Sequence, residues 1–278
     1  MPSFFWVLVI RPQTIVISLA TTISRTCQRA FQGQPPGSVR EYFDSFIVTV
    51  ILALFGVTFI LQAFKIPSSS MEDTLLIGDH LLVNKFVYGV NHGGWIAQLL
   101  PYDTIRRGQI VVFKFPSNPS QHYVKRVIGL PGERLRIVNR RVYINGQPLE
   151  EPYKVHKQPY PDPFRDNFPP EDGTFTLQMQ ADWADEILQY QRGNELWIPE
   201  GKYFVMGDNR DASADSRYWG FVDRGNIVGR PVLVYWSWSS TSADYRGAGI
   251  GLRLAQFVHV VTHFFSDTRW DRTFRLVR

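Results

Sequence analysis

Cysteine is almost missing from these 278 residues, and Cys27 stands alone. That excludes an intrachain disulfide and any zinc site built on several thiolates. Histidine is sparse as well, with 6 residues. His122 lies near a strand-like segment, but no acid-histidine arrangement can be read, so a conventional Ser-His-Asp triad has little to draw on. Lysine does not occur before Lys65. The net charge of +5 is scattered, and the aromatics do not interleave with it in a nucleic-acid motif, so the reading is a moderately basic surface with no nucleic-acid partner. What is present is ordinary for a globular chain: 44% apolar and 20% charged residues allow a sizeable core. The length suits one domain plus an anchor. With 8 Trp, 12 Tyr and 20 Phe, the composition suits a β-rich core or a surface that meets the bilayer interface.

The run Phe46 to Phe64, FIVTVILALFGVTFILQAF, carries no charge. As a helix it would rise ~28 Å, near the ~30 Å hydrocarbon core. It is apolar on all faces and is expected to be a transmembrane anchor over 45–64. A cleavable signal peptide would have a shorter apolar region ending in a small-x-small site, whereas Leu61 and Ala63 frame this exit. Arg11, Arg25, Arg29 and Arg40 precede the run, against Glu41 and Asp44 as the acids. The positive-inside rule then places residues 1–44 in the cytoplasm or at the interface and the rest outside. Arg11 and Pro12 split the apolar stretch from Phe4 to Ile23, which leaves open whether it spans. QGQPPGS, from Gln32 to Ser38, reads as a linker.

From Leu81 to Val155 short β-branched and aromatic runs alternate with Gly, Pro and Asn, as in LLVNKFVYG, QIVVFKF, HYVKRVIGL, RLRIV and RVYING. Asn145-Gly146 marks a tight turn. Pro148 to Asp185 lacks periodicity and is expected to be an irregular insertion. Strand character returns in ELWIPEGKYFVMGDN and NIVGRPVLVYWSW. Ile250, Leu254, Phe257, Val258, Val261 and Phe264 recur at helical spacing, which predicts a short C-terminal amphipathic helix on a membrane or against the β-domain. His259 and His263 lie four residues apart there. Gln256 shares their face, so a polar helix face is favoured over a metal site.

After the anchor comes Ile66-Pro67-Ser68-Ser69-Ser70-Met71, then Thr74-Leu75. A serine needs an adjacent base before it can attack a carbonyl at neutral pH. Lys125, between apolar neighbours in Tyr123-Val124-Lys125-Arg126-Val127, offers one: burial lowers a lysine pKa from ~10.4 by up to ~3 to 5 units. On this strand alone, a lysine at a strand edge is the commoner explanation.

In one order stand Ser70-Met71, Arg107-Gly108 before VVFKFP, Tyr123 to Gly132 (YVKRVIGLPG), and Gly207 to Gly220 (GDNRDASADSRYWG). Together they closely resemble the ordered boxes of the bacterial type I signal peptidase family. The resemblance runs from about Phe64 to Pro231 and resumes at Arg269-Trp270-Asp271-Arg272. It implies a mainly β catalytic domain over 65–278 behind an N-terminal transmembrane helix. It also implies a membrane-bound serine endopeptidase that removes signal peptides from exported preproteins, cutting after small-x-small sequences through an acyl-enzyme. Ser70 is then the nucleophile and Lys125 the general base. Ser68 joins the backbone N–H of Ser70 as oxyanion donor, and Ser213 orients the lysine. Arg126 with Asp208, and Asp215 with Arg217, are implied structural ion pairs. Phe64, Ile66, Met71, Leu75, Tyr123 and Val124 match substrate-pocket positions. No metal or cofactor is implied. The partners are preproteins and membrane lipid, and the location is the bacterial inner membrane, single-pass with the catalytic domain outside.

Three positions depart from the family pattern: Ser69 where Gly, Asp73 where Pro, and Ala212 where Asn is common. None removes a proposed catalytic group. Self-cleaving SOS repressors share a Ser-Lys dyad, but they are soluble DNA-binding proteins, and this chain shows no helix-turn-helix. A catalytically dead tethered module is disfavoured because Ser68, Ser70, Lys125 and Ser213 are all present.

Overall fold

A computed structural model describes residues 39–56, 61–88, 103–170, 179–240 and 258–277. Two antiparallel sheets carry the architecture. The first has the strand order β1-β2-β12-β3-β4-β10-β11, with β13 also on β12. Its members are β1 Leu61–Lys65, β2 Asp79–Asn84, β3 Ile110–Phe115, β4 Asn118–Gly129, β10 Lys202–Met206, β11 Val222–Asp223, β12 Ile227–Ser237 and β13 Arg275–Leu276. The second runs β7-β6-β5-β9-β8, from β5 Arg134–Val138, β6 Arg141–Ile144, β7 Gln147–Pro148, β8 Gln191–Arg192 and β9 Glu195–Trp197. The expected β-runs all fall on these strands. Asn145 and Gly146 take positive φ values of 51° and 80° between β6 and β7, as a two-residue hairpin turn requires.

β12 ties the first sheet together. Its start pairs β3 and its longer second part pairs β2, with irregularities at Pro231/Leu233 and Val234/Trp236. A proline, which has no N–H to donate, is tolerated at such a break. Ile66, Met71, Leu75, Leu81, Val83, Ile110, Val112 and Val234 form one buried cluster of this sheet. Val111, Phe113, Val127, Val205, Trp219 and Val222 belong to a second. A third joins the other sheet to β10 through Leu135, Ile137, Phe168, Trp183 and Phe204.

Two expectations are corrected. The apolar run is not one helix: α1 spans Val39–Phe55, and Leu61–Lys65 is strand, paired from Leu61↔Asn84 to Lys65↔His80. Gly56 and the β-branched residues after it weaken helix propensity, and β2 offers those last five residues a ladder. Among the described residues no helix is long and apolar enough to cross a membrane. The segment 148–185 is also less irregular than expected. It holds α2 Pro163–Asp166 and the first turn of α3 Ala181–Tyr190, and is stitched to the sheets at Val155↔Asn209 and Ile137↔Phe168. Residues 258–262 and α5, Phe264–Asp267, are helical. Val258 and Val261 are exposed there, and Phe264 partly so, with the Phe264 ring 6.0 Å from Trp236. The readings for residues 1–38 and 250–257 lie outside the described residues.

Candidate active site

Chain direction out of β1 sets the nucleophile's position. The Ile66 N–H donates to Asp79 O at 2.9 Å, and Gly78 N–H returns to Ile66 O at 2.9 Å. The strand pair thus closes just before the serines. Ser68 is extended, and Ser69–Met71 form a single 3-10 turn with Ser70 and Met71 buried. Met71 and Leu75 are anchored in the core, so the turn between them cannot drift.

Lys125 arrives from β4, opposite Val111, and only 4% of it is exposed. Its Nζ meets Ser70 Oγ at 2.5 Å. Burial pulls its pKa down from 10.5 to about 8; Arg217 pulls the same way, while Asp215 and Asp208 oppose. An ammonium donates to the serine oxygen, whereas the neutral amine accepts the serine proton. The geometry therefore suits general-base chemistry once the lysine deprotonates. The other partner of the Ser70 hydroxyl among the described residues is Ser68 Oγ, at 3.4 Å, which sets the two hydroxyls side by side. Among the described residues no imidazole joins them.

The implied ion pairs form as read. Asp208 takes Arg126 Nε at 2.8 Å and its terminal nitrogen at 2.6 Å. Asp215 takes Arg217 at 2.8 Å on each oxygen. Burial raises the Asp215 pKa, but the Arg217 charge and hydrogen bonds, with Lys125 and Ser213, together outweigh it and hold the carboxyl below the usual range. Arg217 also donates to the carbonyls of Arg165 and Arg210, which pins the loop that carries Ser213.

Ser213 departs from its expected part. Its hydroxyl is buried without a hydrogen-bond partner, so the bond to Lys125 is absent. It contributes instead to the electrostatic stabilisation of the Asp215 carboxylate, at a geometry too poor to count as a bond. It presses on Gly207, where an added Cβ would lie 2.4 Å from Ser213 Oγ and 2.4 Å from Ser70 O. Only glycine allows this approach.

The pocket positions divide. Ile66, Met71 and Leu75 are buried together, with Phe64 and Val124 partly buried against them. The Phe64 ring lies 5.2 Å from His122. Tyr123 points elsewhere: its ring stacks on Phe115 at 4.5 Å, in the other cluster, because neighbours on a strand face opposite sides.

Some contributors carried no assigned role in the sequence. Asn209 N–H donates to Ser70 O at 3.1 Å and its side chain to Ser69 O at 3.2 Å, which ties the nucleophile turn to the loop. Thr74 Oγ1 donates to Asp208 at 2.6 Å. Asn209 lies inside the Gly207 to Gly220 box and Thr74 just beyond Ser70-Met71, and those positions are the signal that could have found them. Asp73 has φ 76°, a value closed to the proline common there, and its carboxylate meets Lys157 at 3.1 Å.

The model of the family described as signal peptidase, peptidase S26, matches residues 39–236. Signal peptidase I of Pseudomonas aeruginosa is 36% identical over 217 residues, covering 71% of this chain and 72% of the relative. Signal peptidase I of Aquifex aeolicus is 34% identical over 229 residues, covering 72% and 85%. A crystal structure of a signal peptidase I from Enterococcus faecalis is 35% identical and covers 46% of this chain and 97% of that one, with a TM-score of 0.33, too low to bear on the fold.

Proposed function

The chain belongs to the signal peptidase family, peptidase S26, an enzyme family whose work is the removal of signal peptides from preproteins, and from that premise we propose a Ser70-Lys125 dyad as its chemistry. The 2.5 Å approach of Lys125 to Ser70 carries this reading. Neutral Lys125 takes the Ser70 proton as Oγ attacks the scissile carbonyl. The tetrahedral oxyanion is held by Ser68 Oγ and the Ser70 N–H. The lysine then returns the proton to the departing amine. An acyl-enzyme remains, and water, activated by the same amine, hydrolyses it.

The substrate is read as an extended peptide laid beside β1, whose one strand neighbour among the described residues is β2. An added strand puts the residues one and three before the cut on the same side, over the Phe64, Ile66 and Val124 surface. Large side chains lining that surface leave shallow pockets, which supports cleavage after small-x-small. α1 supports a membrane location: Tyr42, Phe43, Phe46, Ile51, Leu52 and Leu54 are exposed all around it, and a helix apolar on every face has lipid as its natural surrounding. α1 ends at Phe55 and β1 begins at Leu61, so the cleft follows the bilayer surface closely. Together with the arginine flank, this supports a catalytic domain on the outer side. Ser70→Ala, incubated with a preprotein in detergent, should leave it uncut while wild type yields one mapped site. Full cleavage by the variant would remove Ser70 as nucleophile.

A further inference from the structure

A cleft of about 390 Å³ opens beside the β5–β6 hairpin, lined by Asn139, Arg140, Arg141, Tyr143, Lys154 and His156 among others. Among the described residues no carboxylate lines it, while Arg140, Arg141 and Lys154 carry positive charge there. The acids behind it are already engaged. Asp166 takes Arg140 Nε at 2.8 Å and Arg165 Nε at 2.8 Å. Asp211 takes His156 Nδ1 at 2.9 Å and the Gln158 N–H at 2.7 Å, and Glu151 is held by Arg210 on both oxygens.

Donors remain on the cleft side. Arg141 makes no side-chain hydrogen bond or ion pair among the described residues, and Lys154 has one bond, to Arg140 O at 3.3 Å, with Glu151 at 3.9 Å. His156 Nε2 is buried with no partner. Because a carboxylate only accepts, Nδ1 carries the ring proton toward Asp211. Burial lowers the Lys154 pKa, with Arg210 and Arg141 pulling the same way and Glu151 opposing them. Arg140 is held in the left-handed region at φ 67° by Asp166 and by Tyr160 O, which fixes the guanidinium at the cleft wall.

We propose that this cleft, outside the dyad, is a phosphate-binding site. One guanidinium fork satisfies a planar carboxylate, but two arginines and a lysine around one cleft offer donors to several oxygens of a tetrahedral anion. The rival occupant is a divalent cation, because ligand atoms of His156, Asp166 and Asp211 lie within 4.8 Å of one another. Two guanidiniums on those carboxylates oppose it.

The test is calorimetric titration of the full chain in zwitterionic detergent with inorganic phosphate, at constant ionic strength against chloride. Saturable binding is expected, weakened at least tenfold in the double variant Arg141→Ala, Lys154→Ala. Preprotein cleavage without phosphate should match wild type and so report that the variant is folded. Should the double variant fail to fold, Arg141→Gln alone, at an exposed position, should weaken binding several-fold. Glycerophosphoglycerol, a deacylated lipid headgroup, distinguishes the sources: tighter binding than phosphate identifies a headgroup site, weaker binding a free-phosphate site. Heats equal to chloride, unchanged affinity in the folded variants, or Zn²⁺ binding that excludes phosphate would overturn the proposal.

Discussion

Lys125 is the residue on which most depends, because burial both enables its chemistry and costs stability. With its pKa near about 8, the neutral fraction grows as pH rises. Turnover should therefore climb through about pH 8 and fall away below it. A flat profile from pH 6 to 9, with chemistry rate-limiting, would count against a lysine base. Lys125→Arg keeps the charge but cannot supply a neutral acceptor, since guanidinium pKa exceeds ~12; activity should drop to background in the same assay. The stability effect has the opposite sense. Below pH 8 both folded and unfolded chains hold the proton, and the folded state bears the full burial penalty. That penalty fades between about 8 and 10.5 as the folded lysine is already neutral. Such a drop in pKa corresponds to about 3 kcal/mol. Lys125→Met should thus raise the denaturation midpoint at pH 6 and change it little at pH 11. Equal effects at both would show that the lysine is not buried as a cation.

At the scale of elements, the site is held by pieces far apart in sequence. The terminal box reaches back beneath the nucleophile turn: Arg272 meets Asp79 at 2.6 Å and Thr74 O at 3.1 Å, and Ser237 Oγ donates to Asp79 at 2.6 Å. Removing one partner of a buried pair strands the other charge, typically at about 3 to 5 kcal/mol. Arg272→Ala should lower urea stability by an amount of that order, softened by Arg269 at 3.9 Å. A midpoint unchanged within error would mean that the terminal box does not brace this turn. On the proposed reading β1 and β4 meet the substrate. Peptides with Ala, Gly or Ser one and three residues before the cut should be cleaved well, and Phe or Leu there should cut kcat/KM by at least 100-fold. Equal cleavage of Ala and Phe peptides would rule out the shallow pockets.

At the scale of the whole molecule, α1 and the exposed Phe265, Trp270 and Phe274 near the C-terminus stand outside the cores among the described residues. On the proposed topology, α1 with its arginine flank orients the chain. Protease added to spheroplasts should digest the catalytic domain, while sealed inner-membrane vesicles of opposite orientation should protect it. The reverse pattern would invert the topology.

Sequence alone determined what depends on neighbours along the chain. Short β-branched and aromatic runs placed the strands, Asn145-Gly146 placed a turn, and the resemblance of the ordered boxes to the signal peptidase family singled out Ser70, Lys125, Arg126, Asp208, Asp215 and Arg217. Tertiary structure decided what depends on partners across space. The end of the apolar run became β1 because β2 supplied a ladder that no local propensity can announce. Tyr123 left the pocket because strand parity and the Phe115 ring took it to the other face. Ser213 turned from Lys125 toward the crowded Gly207 backbone, and Asn209 gained a role by reaching the Ser70 carbonyl. The Lys125 pKa was set the same way, since desolvation belongs to the packed environment and not to the residue.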